Sequence, residues 1–332
     1  METVVSGIRP TGHLHLGNYF GAVANFLKMQ ETHRCFFFIA DYHSLTTHPH
    51  PDHLQQSVKH VLAEYLACGL DPDKCTLYIQ SDLPETAELY LLLNMISYVG
   101  ELERCTSFKD KIRQHPDNIN AGLLTYPVLM AADILIHKAL KVPVGKDQEQ
   151  HLEMARNFAQ RFNHLYQTEF FPQPTAFNFG GNLVKVPGLD GSGKMGKSEG
   201  EGNAVFLIDE PAALRKKVMR AVTDSGPTEP NQPKPEAVEN LFTLMKLVST
   251  PDIIRHFSDA YDNMTIRYGD MKKQLAEDMV SFTDPIREKI NAITNDEMYL
   301  KKVTAQGAEK ARESARKTMN EARALIGMKK VY

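Results

Sequence analysis

The sequence predicts an α/β protein: a doubly wound parallel sheet with a mainly helical second domain. Three observations carry this. Short runs of β-branched and aromatic residues at 3–5, 35–40 and 76–80 read as strands buried in a sheet. Segments with apolar residues at helical spacing separate them, and strand–helix–strand alternation of this length implies parallel crossovers. Past a glycine-rich stretch at 187–202 the texture turns to Ala-, Lys-, Glu- and Arg-rich helix, which sets the domain boundary near residue 190.

Composition narrows the class. The chain has 332 residues, 42% apolar and 24% charged, enough for a large core. A net charge of −3 argues against a generic polyanion-binding surface. The C-terminal Lys and Arg alternate with Glu and Ala, as on a solvated helix face. No stretch has the length of a membrane span and the N-terminus lacks a signal-peptide pattern, so the cytoplasm is the expected location. Cys35, Cys68, Cys75 and Cys105 show no Cys-x-x-Cys pair and read as free thiols.

Taken in order, residues 3–5 start a strand that Ser6, Gly7, Pro10 and Gly12 break. After Gly17, the positions Tyr19, Phe20, Val23, Phe26 and Leu27 recur at helical spacing. A strand, a loop carrying His13 and His15, and a helix start form a good anion site. The helix N-terminus offers unpaired N–H groups, Gly17 allows close approach, and His15 adds a donor. A plain corner with solvated histidines has the same pattern. The run 35–40 ends at Asp41-Tyr42-His43, Asp52 is placed to cap a helix through Cys68, and Gly69 and Pro72 stop it. A helix is expected over 86–98. In doubly wound sheets ligands bind beyond the C-terminal strand ends, which brings 6–18, 41–43 and 80–82 to one crevice.

Residues 122–138 read as an apolar helix. Tyr126 and Asp133 lie seven positions apart on one of its faces. On composition, Asp133 either turns to water or pairs with a basic residue, because a lone buried carboxylate is costly. Residues 142–148 read as a strand with a polar end, followed by a helix to about Tyr166. The 187–202 stretch holds six glycines, with Lys194 and Lys197 at its centre. It reads either as a linker or as a lid delivering cations to a phosphate, and it lacks P-loop spacing. Helices follow over 211–221, 237–248 and 253–257, with a Pro-rich connection at 224–235, and a long helical segment reaches 326.

Several strings, in order, carry a resemblance to a known family. His15-Leu16-Gly17-Asn18 resembles the His-Ile-Gly-His signature of the class I aminoacyl-tRNA synthetases, and Lys194-Met195-Gly196-Lys197-Ser198 resembles their Lys-Met-Ser-Lys-Ser signature. The stretch 124–135, with Tyr126 and Asp133, is similar to the amino-acid-binding helix of the bacterial-type tryptophanyl-tRNA synthetases. The stretch 142–151 is similar to the strand that follows it, and 100–104 and 221–225 are also family-like.

The resemblance implies a Rossmann-like catalytic domain at 1–190, a signature loop at 191–203 and an anticodon-binding helical domain at 204–332. The last helix is expected to pack back toward the catalytic domain. It implies ATP-dependent activation of L-tryptophan to tryptophanyl-adenylate and transfer to tRNA(Trp). A tyrosyl-type enzyme and a duplicated synthetase kept for binding or regulation are the alternatives. ATP is a substrate accompanied by Mg2+, with no permanent cofactor and no protein metal site. The partners are tRNA(Trp) and a second copy of the chain in a homodimer.

By position, Arg9, Pro10, Thr11, Gly17 and Asn18 would contact ATP. Gly145, Lys146, Asp147, Val186, Met195, Gly196 and Ser198 would join them. Lys194, Lys197 and Lys111 would reach the phosphates, and His15 belongs to the same catalytic set. Asp133 would accept the indole N–H, and Tyr126 and Gln148 would hold the α-amino group. Met130, Val142, Val144, His43 and Val5 would line the pocket. Three positions depart from the pattern. Gly196 replaces a Ser of the lysine signature. Val5 stands where an aromatic can pack on the indole. Ser107 sits where some members carry Gln.

Overall fold

The computed structural model describes residues 1–114, 116–145, 148–177, 185–191, 193–196 and 202–328. Strands β1 (Thr3–Ile8), β2 (Arg34–Ile39), β3 (Thr76–Ile79), β4 (Lys141–Val142) and β5 (Thr175–Ala176) form one sheet. It is wholly parallel, in the order β3-β2-β1-β4-β5. The chain steps outward from β1 to β3, then returns to the other side of β1 for β4. That reversal is where a crevice opens in a doubly wound sheet. Alternation along the strands feeds two cores: Val4, Phe37, Ile39 and Leu77 enter one, and Val5, Phe36, Phe38 and Tyr78 the other.

After β1 come α1 (Leu16–Asn18) and α2 (Ala24–Met29), where the spacing predicts one continuous helix. A π turn over Tyr19–Val23 joins them. α3 (Asp41–Ser44) follows β2, and then comes α4 (Pro51–Cys68). Pro51, with its fixed φ, takes the first helical position and His50 is the cap, so Asp52 sits inside the first turn instead of capping it. Gly69 ends α4 at φ 110°, a conformation glycine adopts without strain.

The expected helix over 86–98 is α5 (Pro84–Asn94), which stops at Asn94, and α6 (Val99–Glu103) and α7 (Thr106–Gln114) follow it. α8 (Ala121–Leu135) packs against α5 and α9 (Glu149–Leu165), which accounts for its being apolar all round. Asn120 caps α8, its Oδ1 accepting from the Leu123 N–H at 3.1 Å. β4 stops after two residues because Pro143 has no N–H to give the ladder.

The C-terminal part is helical: α10 (Pro211–Met219), α11 (Glu236–Val248), α12 (Pro251–Asp262), α13 (Tyr268–Thr294) and α14 (Glu297–Leu325). α13 packs on α10 and on α4. α14 runs along β3, the open edge of the sheet. Lys310 Nζ donates to the Pro72 carbonyl and Arg312 Nη2 to the Asp82 carbonyl, each at 2.8 Å. About one turn before Lys310 sits Gly307, where a Cβ would overlap the Leu77 carbonyl oxygen and stand 2.7 Å from its carbon. Residues on both sides of position 190 share the two cores, with Met271 and Met279 in the first and Ala311, Ala315 and Met319 in the second.

Candidate active site

A cavity of about 810 Å³ lies beyond the C-terminal ends of β1 and β4. β1 and its following loop contribute Val5, Gly7 and Arg9, and α8 contributes Tyr126, Met130 and Asp133. Asn18, His43, Lys111, Val142, Val144, Gly145 and Gln148 complete the sequence-predicted residues that meet there. The switch point of the sheet thus gathers side chains from segments more than 100 residues apart.

Asp133 is 2% exposed, so of the two alternatives left by composition the solvated carboxylate fails and the pairing with a basic residue, His43, is the one seen. His43 Nε2 lies 2.9 Å from its Oδ2, and Gln80 Nε2 donates to Oδ1 at 2.7 Å and to Oδ2 at 2.9 Å. Burial pushes the Asp133 carboxyl above its usual range, while His43 and Gln80 pull it back. A carboxylate offers about four lone-pair sites. These three contacts therefore leave one for a further donor.

Tyr126 is held from behind. Its hydroxyl meets Ser107 Oγ and, at 2.6 Å, His151 Nε2. Ser107 Oγ is itself 2.7 Å from that nitrogen, and His151 Nδ1 faces Gln148 Oε1 at 3.1 Å. An amide oxygen only accepts, so the neutral His151 ring carries its proton on Nδ1. Its Nε2 accepts a hydroxyl proton from the Tyr126–Ser107 pair, whose other hydroxyl proton serves the contact between them. The serine at 107 is therefore a partner of Tyr126.

Lys111 Nζ stands 3.7 Å above the Tyr126 ring. Burial, reinforced by the Arg9 charge, lowers its pKa to about 8. Arg9 is half-buried, its Nε has no hydrogen-bond partner among the described residues, and burial lowers its pKa too. Among the described residues neither cation has a carboxylate within ion-pair distance.

The two signature strings meet. His15 caps α1: its Nδ1 accepts from the Asn18 N–H at 3.3 Å, and Asn18 Oδ1 accepts from the His15 N–H at 3.1 Å. The neutral ring therefore keeps its proton on Nε2, as a donor site needs. At Gly17 a Cβ would stand 2.8 Å from the His15 ring, so glycine lets that ring fold back over the helix start. The Met195 carbonyl oxygen of the lysine string lies 3.4 Å from the same point, at ordinary contact distance. Met195 is 1% exposed, and its N–H donates to the Val186 carbonyl at 2.7 Å. Pro10 is buried, Thr11 donates to the Arg9 carbonyl at 2.9 Å, Lys194 is exposed and Gly196 half-buried. Lys146, Asp147, Lys197 and Ser198 lie outside the described residues.

The sequence reading placed Gln80 near the crevice without a role, and it missed Phe38, which lines the cavity. A polar residue closing a buried strand was the available signal for Gln80. Phe38 has none, since it reads like its neighbours Phe36 and Phe37.

A parallel sheet of this order, with the two signature strings in contact and Asn18 of the first lining the crevice, is the arrangement of a class I tRNA synthetase. Residues 2–284 match the model of the tRNA synthetases class I (W and Y). The tryptophan–tRNA ligase of Porphyromonas gingivalis is 64% identical over 329 residues, covering 99% of this chain and all of that one. That of Clostridium tetani is 39% identical over 328 residues, covering 98% and 96%. The crystal structure of tryptophanyl-tRNA synthetase from Campylobacter jejuni, complexed with ADP and tryptophan, superposes with a TM-score of 0.87 at 36% identity, covering 98% of this chain and 99% of that one. The chain belongs to the tryptophan–tRNA ligase family.

Proposed function

We propose that the chain activates L-tryptophan with ATP and transfers the tryptophanyl group to tRNA(Trp). One observation carries the substrate pairing: a single cavity holds a buried carboxylate beside apolar Met130, Val142 and Val144, and two cations without carboxylate partners among the described residues. An indole has one polar atom, an N–H that only donates, and the open acceptor site of Asp133 suits it. Tyr126, locked by Ser107 and His151, and Gln148 face the α-amino group. His43, Met130, Val142, Val144 and Val5 surround the ring. ATP lies along Arg9 to Thr11, Gly17, Asn18 and Gly145 to Asp147, with Val186 and Met195 to Ser198 closing over it. Lys111, Lys194 and Lys197 meet the phosphates.

The carboxylate of tryptophan attacks the α-phosphorus of ATP, and pyrophosphate leaves. The attacking group is already an anion, so this step needs no general base. Positioning and stabilisation of the phosphate charge carry the rate. A hydroxyl of the terminal tRNA ribose then takes the acyl group and AMP leaves. Magnesium accompanies the ATP on phosphate oxygens and water. Among the described residues no cluster of three or more His, Cys, Asp or Glu offers it a protein cage.

A homodimer is part of the reading. Leu91 on α5, Met95 and Tyr98 in the connection after it and Val99 on α6 are more than half exposed, an apolar face suited to a second copy. Residues 204–332 are assigned to the anticodon, the 191–203 loop to the phosphates, and the enzyme to the cytoplasm. Among the described residues no helix is long and apolar enough to cross a membrane.

Pyrophosphate exchange into ATP with each amino acid in turn tests the function. Exchange is expected with tryptophan. Exchange with tyrosine instead makes the chain tyrosyl-type, and no exchange at all leaves a binding protein.

A further inference from the structure

We infer that Phe38 is the aromatic wall of the amino-acid pocket, the ring against which the indole lies, and so a specificity-determining residue. The inference rests on tryptophan being the substrate. β1 and β2 run parallel with Gly7 opposite Phe38. Val5, Phe36 and Phe38 enter the core on the face that α8 covers, and α8 brings Asp133 and Met130 to the same cavity. At Gly7 a Cβ would overlap the Phe38 ring, 2.5 Å from its Cζ, so the ring leans over β1 into space that any other residue at position 7 would fill.

The neighbouring rings are engaged elsewhere. Phe36 is stacked on His137 at 3.9 Å with Arg34 beside it, and it does not line the cavity. Phe26 also lines the cavity, but its ring is stacked on Phe37 at 4.4 Å in the opposite core. The Tyr126 ring carries Lys111. Phe38, 5% exposed, has a tilted contact with Tyr78 at 5.8 Å, which leaves π surface toward the cavity. Val5 lies opposite Phe36 and diagonal to Phe38, and is too small to be such a wall. Offset or edge-on aromatic pairs add roughly three- to ten-fold to an equilibrium constant beyond the area they cover.

The test is tryptophan-dependent pyrophosphate exchange by the full chain with Phe38→Leu, which keeps bulk in the core and removes the ring. The KM for tryptophan is expected to rise about three- to ten-fold with the KM for ATP and the thermal midpoint nearly unchanged. The double variant Val5→Phe/Phe38→Leu, which moves the ring to the adjacent strand, should recover most of that loss. A parent active on tryptophan whose Phe38→Leu variant keeps its KM overturns the inference. A fall in activity toward both substrates together, without recovery in the double variant, assigns Phe38 to packing and overturns it as well. A parent with no tryptophan-dependent exchange overturns the proposed function itself.

Discussion

Two residues carry opposite demands in one cavity. Asp133 must stay an acceptor in a place that disfavours charge, and His43 and Gln80 supply the donors that keep it one. Asp133→Asn keeps the shape and replaces an acceptor oxygen with a donor nitrogen. Hydrogen bonds to charged groups are worth about 1.5–3 kcal/mol, so tryptophan-dependent kcat/KM should fall roughly ten- to hundred-fold. The KM for ATP should hardly move, and discrimination against phenylalanine should narrow. An Asn variant that still prefers tryptophan as the parent does removes Asp133 as the reader. Lys111 has the reverse problem, since burial lowers its pKa from 10.5 to about 8. Its charge is present below that pH and lost above it, so kcat/KM for ATP should decline as pH rises past about 8. Lys111→Arg, charged throughout, should shift the alkaline limb upward. The sign for stability is opposite: between about 8 and 10.5 the unfolded chain binds the extra proton, so this group adds stability as pH rises. The chemistry of Asp133 was suggested by its apolar helix, but its partners were not legible, because Gln80 is 53 residues away and His43 is 90.

Elements were legible in proportion to how far their own sequence fixed them. The run 35–40 is apolar throughout because β2 is buried on both faces, and α8 is plain from its long apolar run although Pro127 lies inside it. The π turn after Asn18 was invisible, since its residues keep helical spacing and only the path of the backbone differs. The resemblance led to a last helix packed back toward the catalytic domain, but its seat against β3 was invisible, because it depends on a glycine that sequence reading treats as a weak point in a helix. Gly→Ala inside a helix normally stabilises by about 0.5–1 kcal/mol. At Gly307 a Cβ would run into the Leu77 carbonyl, and overpacking of that kind costs about 1–3 kcal/mol. Gly307→Ala should therefore lower the urea midpoint. Gly269→Ala in α13, with nothing within 4 Å of its Cβ, should leave the midpoint unchanged or raise it. A Gly307→Ala variant as stable as the parent means that α14 stands off the strand.

At the scale of the molecule, the chain contains no tryptophan, so a bound substrate is its only indole. Titrating the protein with tryptophan at indole-selective excitation should give a shifted, enhanced emission saturating at one ligand per subunit, or half that under strong negative cooperativity. Emission identical to free tryptophan throughout argues against a pocket closed by Asp133 and its apolar neighbours. The two-core arrangement was legible only in part, because strand order follows from long-range packing that no local pattern records. The helix that shields the edge of the sheet has a consequence for biogenesis. β3 leaves the ribosome some 230 residues before Gly307. For most of synthesis its outer backbone groups wait unpaired, as a template for any passing strand. The last long helix thus works as a late-arriving guard. A chain interrupted before it would carry most of its catalytic residues and still be prone to stick to its neighbours.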